Sequence, residues 1–223
     1  MTVLASMPSY EIALRYRQDG WLVIPRDSIF PSPYVAQAAI TSLRNAIRSL
    51  PLVDDQPGSE RHHLDNPAFV DLLAPWLHCG PFEGLCRHVF QGEDVFVKYL
   101  RSRNPIYCQG EQALHSDWYL DSPRERMEVF IALDKVTLEN GALEIKPSDD
   151  SEPVAVTWEA GGMVVMDSVI PHRGTTNRCG NSRQVVSAHV GVHLREDEKA
   201  LSFILRGSKA VSNKHVIVET RQR

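Results

Sequence analysis

Gln112-Ala113-Leu114-His115-Ser116-Asp117-Trp118-Tyr119 is the stretch of this sequence from which the fold and a candidate site can be worked out. His115 and Asp117 are two residues apart, so on an extended strand both side chains point to the same face. An imidazole and a carboxylate directed into one cavity make two ligands of a facial metal triad of the kind that binds non-haem Fe(II). The third ligand should be a histidine from far along the chain, and His172 is the best candidate.

Taken alone, the His-x-Asp triplet is a weak signal, because the chain contains nine histidines. The alternative interpretation is that His115 and Asp117 make ordinary polar contacts on a pair of strands. The sequence downstream decides between the two interpretations, because it supplies the strands, the distant histidine and an arginine in a consistent order.

The part of the chain after residue 94 has the pattern of a β-sheet core. The predicted strands are 95–100, 127–133, 142–146, 154–157, 163–166 and 183–194. Turn signals separate them, among them Glu139-Asn140-Gly141 and Gly161-Gly162. Several short strands at this spacing, following helices confined to the first ninety residues, predict a sandwich or barrel that helices buttress.

The first part of the chain is predicted to be mainly helical. Helices are expected at 8–18, 33–50, 67–73 and 81–90, with a strand at 21–24. Residues 54–65 are polar and are expected to form a loop, which we expect to close over the site together with 101–112. The chain is therefore predicted to be a single domain, with a helical layer at 1–93, a core at 94–195 and a C-terminal extension at 196–223.

Composition narrows the classes of function. A chain of 223 residues that is 43% hydrophobic can bury one sizeable core. Its formal charge of -4 argues against a nucleic-acid partner, and no apolar run reaches membrane-spanning length. The four cysteines form no Cys-x-x-Cys pair, which argues against a zinc knot or a disulfide framework. We expect a reduced, cytoplasmic protein that acts as a monomer or homodimer on a small-molecule substrate.

Four local patterns follow one another along the chain. They are His115-Ser116-Asp117, the turn Glu139-Asn140-Gly141-Ala142-Leu143, the strand 163–166 leading to Pro171-His172-Arg173-Gly174, and Ser182-Arg183-Gln184-Val185-Val186-Ser187. This order resembles the phytanoyl-CoA dioxygenase family of Fe(II)/2-oxoglutarate oxygenases, and the similarity spans roughly residues 10–195. The resemblance implies a mainly β fold with helices (α+β): a double-stranded β-helix, or cupin-like jelly-roll, with N-terminal buttressing helices.

The resemblance also implies a set of site residues. His115, Asp117 and His172 would bind Fe(II), 2-oxoglutarate would chelate two of the open positions, and O2 would take the last. Arg183 would pair with the distal carboxylate of 2-oxoglutarate, because a guanidinium fork suits a planar carboxylate. The other positions that the resemblance places near the co-substrate or the cavity are Ser187, Lys98, Ser102 and Phe130.

The implied reaction is oxidation of a C–H bond in a small metabolite, such as a natural-product or modified amino-acid intermediate, with succinate and CO2 as co-products. Halogenating relatives replace the metal-binding acid with a small residue, so the presence of Asp117 favours hydroxylation, desaturation or ring formation. The sequence departs from the family at Lys146-Pro147-Ser148-Asp149, where a Pro-Gly-Ser-His segment is common.

Two other functions stay open at this point: a cupin-like metal protein of different activity, and a non-catalytic binding domain. Among the remaining histidines, His62 and His63 are expected in a loop, and His189 and His193 are expected to be structural although they alternate with Ser187. Trp118, Tyr119 and Arg126 either line the mouth of the cavity or pack against neighbouring strands.

Overall fold

A computed structural model describes residues 7–53, 59–64, 66–105, 110–117, 126–148, 150–192 and 200–206 of the chain. Two antiparallel sheets face each other, and helices cover the outer surface of the larger one. The expectation of a cupin-like α+β fold with a helical buttress is confirmed. None of the described helices is long and apolar enough to cross a membrane.

The helices form the buttress. They are α1 (Ser9–Asp19), α2 (Pro33–Arg48), α3 (Pro67–Leu77) and α4 (Gly80–Phe90), with a short 3-10 helix at Arg26–Ser28. Ser32 caps α2 by accepting a hydrogen bond from the Val35 amide at 3.3 Å. Helix α3 continues four residues beyond the predicted end at 73, because Pro75 lies in its last turns, where little of the helix remains to be disrupted.

Seven of the ten described strands overlap predicted runs, whereas those at 59–63, 172–174 and 202–205 were not predicted as strands. The described strands are β1 (Trp21–Ile24), β2 (Ser59–His63), β3 (Val95–Pro105), β4 (Arg126–Ala132), β5 (Leu143–Ile145), β6 (Val154–Val156), β7 (Met163–Asp167), β8 (His172–Gly174), β9 (Val185–Gly191) and β10 (Ser202–Leu205). The larger sheet has the order β1-β7-β4-β9-β3-β10, with β2 also paired to β3. The smaller sheet has the order β6-β5-β8.

Strand β7 of the larger sheet is apolar on both faces because each of its faces is covered. On β7, Met163 and Val165 join the core beneath the helices, whereas Val164 and Met166 join the core between the two sheets. This alternation follows from the two-residue period of a strand. It explains why the sequence of β7 is a continuous apolar run rather than an alternating one.

Two expectations about loops need correction. The predicted loop 54–65 is wrong for 59–63, which is strand β2, so His62 and His63 lie on a strand. The segment 101–112 is wrong as a loop for 101–105, which continue β3 because both β2 and β9 pair with them. Residues 54–58, 65 and 106–109 lie outside the described residues. The C-terminal extension contains β10, which pairs with β3, while the single-domain division stays a prediction.

Candidate metal centre

The three candidate ligands come together between the two sheets. His115 and His172 form an isolated antiparallel bridge, which directs their side chains to the same side. His172 Nε2 lies 3.3 Å from Asp117 Oδ2, and His115 Nε2 lies 3.8 Å from Asp117 Oδ1. The ligand atoms of all three residues lie within 4.8 Å of one another, so that one metal ion could bind to them together.

Backbone carbonyls fix the orientation of both imidazoles. His115 Nδ1 lies 2.8 Å from the Ala113 carbonyl oxygen, and His172 Nδ1 lies 3.1 Å from the Ile170 carbonyl oxygen. Because a carbonyl only accepts hydrogen bonds, Nδ1 carries the proton in both rings. Each Nε2 therefore faces the shared centre and, once deprotonated, could give its lone pair to a metal ion, as metal-binding histidines usually do.

The site favours a negative Asp117 and a positive charge beside it. Burial would raise the pKa of Asp117, but the hydrogen bond and charge of His172 and the charges of His189 and His115 lower it to about 2. Burial would lower the pKa of His172, yet its hydrogen bond to Asp117 raises it. A bound divalent cation would supply the same positive charge, and the histidines would then be neutral ligands.

A cavity opens from this centre along three neighbouring strands of the larger sheet. The register places Tyr99, His189 and Glu128 in one row across β3, β9 and β4, and Arg101, Ser187 and Phe130 in the next. The smaller sheet supplies the opposite wall. The lining residues from that side and its flanking loops include Leu143, Trp158, His172, Gly174 and Thr175.

Arg183 lies at one end of the cavity as a positive charge without a counter-ion. Its backbone amide donates to Asn104 Oδ1 at 3.1 Å. Among the described residues its guanidinium has no carboxylate partner, and its Nε is buried without a hydrogen bond. Burial and the nearby Arg103 lower the pKa of Arg183 to about 10. Such a group suits a planar anion that enters from the cavity.

The sequence-derived positions fall into two sets. Ser187 and Phe130 line the cavity, and the Phe130 ring lies edge-on to His172 with centroids 5.7 Å apart. Lys98 and Ser102 do not line it. Lys98 is the extra residue of a bulge, since Val97 pairs with Val190 while Tyr99 pairs with His189. Ser102 points to the helix side and accepts a hydrogen bond from Gln184.

Two cavity residues have roles that the sequence did not suggest. Glu128 was not singled out, and His189 was expected to be structural, yet both line the cavity beside Asp117. Their alternation with Phe130 and Ser187 along β4 and β9 was the signal that pointed to them. Arg126 is buried and is not part of the cavity lining, whereas Trp118, Tyr119 and His193 lie outside the described residues.

No protein-family model and no curated protein sequence matches the chain, whereas several solved structures have a similar fold. The α-ketoglutarate-dependent non-heme epimerase SnoN from nogalamycin biosynthesis has a TM-score of 0.65 and 18% identity over 82% of this chain and 81% of its own. HygX from Streptomyces hygroscopicus, with nickel and 2-oxoglutarate bound, has a TM-score of 0.64 and 14% identity over 81% and 86%. AviO1 from Streptomyces viridochromogenes Tue57 has a TM-score of 0.63 and 21% identity over 86% and 96%. The chain therefore has the fold of these proteins.

Proposed function

We propose that this chain is an Fe(II)- and 2-oxoglutarate-dependent oxygenase, similar to the phytanoyl-CoA dioxygenase family, that oxidises a C–H bond of a small molecule. The observation that supports it most strongly is the joint placement of the His115, Asp117 and His172 side chains and the unpaired Arg183 guanidinium in one cavity. A triad alone fits many metal proteins. A half-buried arginine that has no counter-ion among the described residues favours an anionic co-substrate.

The residues present fit the proposed cofactors. His115, Asp117 and His172 would hold Fe(II) on one face, which leaves the remaining positions for 2-oxoglutarate and O2. Bound iron with its co-substrate would supply the oxidising chemistry, with succinate and CO2 as co-products. Arg183 would hold the distal carboxylate of 2-oxoglutarate, and Ser187, four residues on, lies on the same cavity wall between Arg183 and the triad.

The chain's own groups would do the orienting. The Ala113 and Ile170 carbonyls keep both imidazoles in the tautomer that presents Nε2. Phe130, edge-on to His172, excludes water from one side of that ligand. Asp117 stays ionised over the whole physiological range because its pKa is lowered to about 2. These contacts would preorganise the centre before a substrate arrives.

Anaerobic titration of Fe(II)-loaded protein with 2-oxoglutarate tests the proposal. The weak visible charge-transfer band of the chelate should appear in the wild type and be absent in His172→Ala. Arg183→Ala should keep Fe(II) binding but need a much higher 2-oxoglutarate concentration, while Arg183→Lys should be intermediate because it keeps the charge without the fork. His88→Ala, an exposed change on α4, is the matched control.

A folded, metal-replete wild type that gives no band would contradict the proposal and leave a fold without this activity. An Arg183→Ala variant with unchanged 2-oxoglutarate affinity would favour a cupin-like metal protein that needs no co-substrate. Failure to bind any divalent metal would favour a non-catalytic binding domain.

The proposed cofactors are compatible with several reaction outcomes. The similar structures include an epimerase and a carbocyclase, both from nogalamycin biosynthesis, so that one fold accommodates several outcomes of C–H oxidation. We propose hydroxylation, or desaturation or ring formation, of a natural-product intermediate. Product analysis by mass spectrometry separates a gain of one oxygen atom from a loss of two hydrogen atoms.

A further inference from the structure

The Glu128–His189 pair is a second polar feature of the cavity wall, separate from the triad and Arg183. The two residues face each other on β4 and β9, with Glu128 Oε1 2.8 Å from His189 Nε2. Glu128 is 1% exposed, whereas the His189 side chain is 24% exposed and lines the cavity. Both residues therefore border the cavity, and the imidazole is the more exposed of the two.

His189 is held in place from two sides. Glu128 occupies its Nε2, and the Tyr99 ring lies edge-on to the imidazole with centroids 5.0 Å apart. In the described part of the chain, His189 Nδ1 has no hydrogen-bond partner, and it is not among the buried unpartnered atoms. One nitrogen is therefore engaged by the protein, and the other is presented to the cavity.

The pair lies directly beside the proposed metal centre. Donor atoms of Asp117, Glu128 and His189 lie within 4.8 Å of one another. A group bound at His189 would therefore lie close to the proposed metal site, where a substrate C–H bond has to be placed. A buried carboxylate–imidazole pair is weak evidence for stability, because apolar residues would fill the same volume at lower desolvation cost. A role in the cavity explains its presence better.

We propose that His189 hydrogen-bonds a hydroxyl group of the substrate through Nδ1, and that Glu128 is the positioning residue that orients the imidazole. This inference rests on the proposed function and deepens it by naming a substrate class, molecules that carry a hydroxyl group beside the reacting C–H bond. A hydroxyl group both donates and accepts hydrogen bonds, so it matches an imidazole nitrogen in either protonation state. Held at this point, it would present a neighbouring C–H bond to the metal centre.

The test uses full-length protein loaded with Zn(II) and 2-oxoglutarate, a redox-inactive state in which no turnover occurs. The probes are methyl α-D-glucopyranoside and its monodeoxy analogues, and their affinities are measured by NMR titration. The wild type should bind at least one deoxy analogue roughly tenfold more weakly, because the missing hydroxyl leaves a polar group of the site unpaired. His189→Phe should bind all the probes alike.

Two further variants separate positioning from packing. Glu128→Gln keeps the shape and a hydrogen bond to the imidazole, and should keep part of the preference; Glu128→Ala should lose it. His63→Ala is the matched control, since His63 lies on the other side of Tyr99, with centroids 6.2 Å apart, and does not line the cavity. The His63→Ala protein should discriminate between the glucoside and its deoxy analogues as strongly as the wild type does.

Two results would overturn the inference: a wild type that binds the glucoside and every deoxy analogue alike or not at all, or a folded His189→Phe protein that keeps the preference. If His189→Phe fails to fold, Glu128→Ala provides the test. A Glu128→Ala protein that discriminates between the glucoside and its deoxy analogues as the wild type does would overturn the inference. The Fe(II)–2-oxoglutarate band is recorded on the same wild-type preparation. If the charge-transfer band appears but the protein does not discriminate between the glucoside and its deoxy analogues, only this inference is contradicted. If the band is missing, the proposed function is contradicted.

Discussion

His115 and His172, 57 positions apart in the sequence, exchange two backbone hydrogen bonds. The His115 amide donates to the His172 carbonyl at 3.0 Å, and the His172 amide donates to the His115 carbonyl at 2.8 Å. The ring centroids are 4.7 Å apart as a result. The spacing of the two imidazoles is thus set by backbone pairing between the segment around His115 and strand β8, and not by the side chains.

Metal binding to the triad should raise the melting temperature, because the ligand atoms are close together only in the folded chain. Mn(II) at a hundred times its Kd contributes about 2.7 kcal/mol, which for a chain of this size is roughly 5–10 °C. Differential scanning fluorimetry with and without Mn(II) measures the shift. It should vanish in Asp117→Ala and persist in His88→Ala; a full shift in Asp117→Ala would place the metal elsewhere.

Gly174→Ala should weaken 2-oxoglutarate binding and spare metal binding. A Cβ at position 174 would lie 3.0 Å from Gln112 Oε1, so that the Gln112 side chain has to shift, and it would contact an Arg183 guanidinium nitrogen at 3.4 Å. A cost of about 1.4 kcal/mol, within the usual range for overpacking, corresponds to a roughly tenfold higher KM for 2-oxoglutarate. Gly80→Ala, which meets nothing within 4 Å, is the control. An unchanged KM in Gly174→Ala would show that Arg183 is free to move without loss.

Asn140→Ala should destabilise the fold by about 2 kcal/mol, because the change leaves buried polar groups unpaired. Asn140 is 4% exposed and accepts from the Thr137 amide at 2.8 Å while it donates to the Lys135 carbonyl at 2.8 Å. It also donates to the Ser182 carbonyl at 3.3 Å, directly before Arg183. Urea unfolding measures the loss, with exposed Glu139→Ala as the control. Equal stability of the two variants would mean that the Asn-Gly turn is only a connector.

Asp167→Asn should stabilise the protein at pH 8 but not near pH 4. Burial raises the pKa of Asp167 from 3.8 to about 6, so the folded state favours the protonated carboxyl. This contribution of the carboxyl to the free energy of unfolding is fully present below pH 3.8 and is lost as the pH rises through about 6. Asparagine stays neutral and can still accept from the Val169 amide, which lies 3.2 Å from Asp167 Oδ1.

Urea unfolding at both pH values measures this difference for Asp167→Asn and for the exposed control Asp150→Asn. If Asp167→Asn increases the free energy of unfolding equally at pH 4 and pH 8, the assignment of a raised pKa to Asp167 is contradicted. Only a titrating carboxyl makes the stability difference between the wild type and the variant depend on pH. The control variant Asp150→Asn should show no increase in stability that is confined to pH 8.

Local patterns in the sequence were sufficient to predict the elements and the chemistry-bearing residues. The two-residue spacing of His115 and Asp117, the apolar strand before His172 and the cap Ser32 before α2 each depend on neighbours a few positions away. Periodicity and capping are local in origin, so these features can be read from one chain. The order of helices and short strands predicted a sandwich or barrel buttressed by helices, and the resemblance to a known family implied the cupin-like fold.

Which side chains face the cavity was decided by the tertiary structure alone. The bulge at Lys98 shifts the alternation of β3, so that Tyr99 and Arg101 line the cavity while Ser102 turns away. The pairing of Glu128 with His189 likewise depends on the register between β4 and β9. Register is set by contacts between residues far apart in sequence, and a one-residue slip exchanges the two faces of a strand. The sequence by itself therefore predicted the candidate ligands and most of the strands, and only the folded sheet determined which residues surround them.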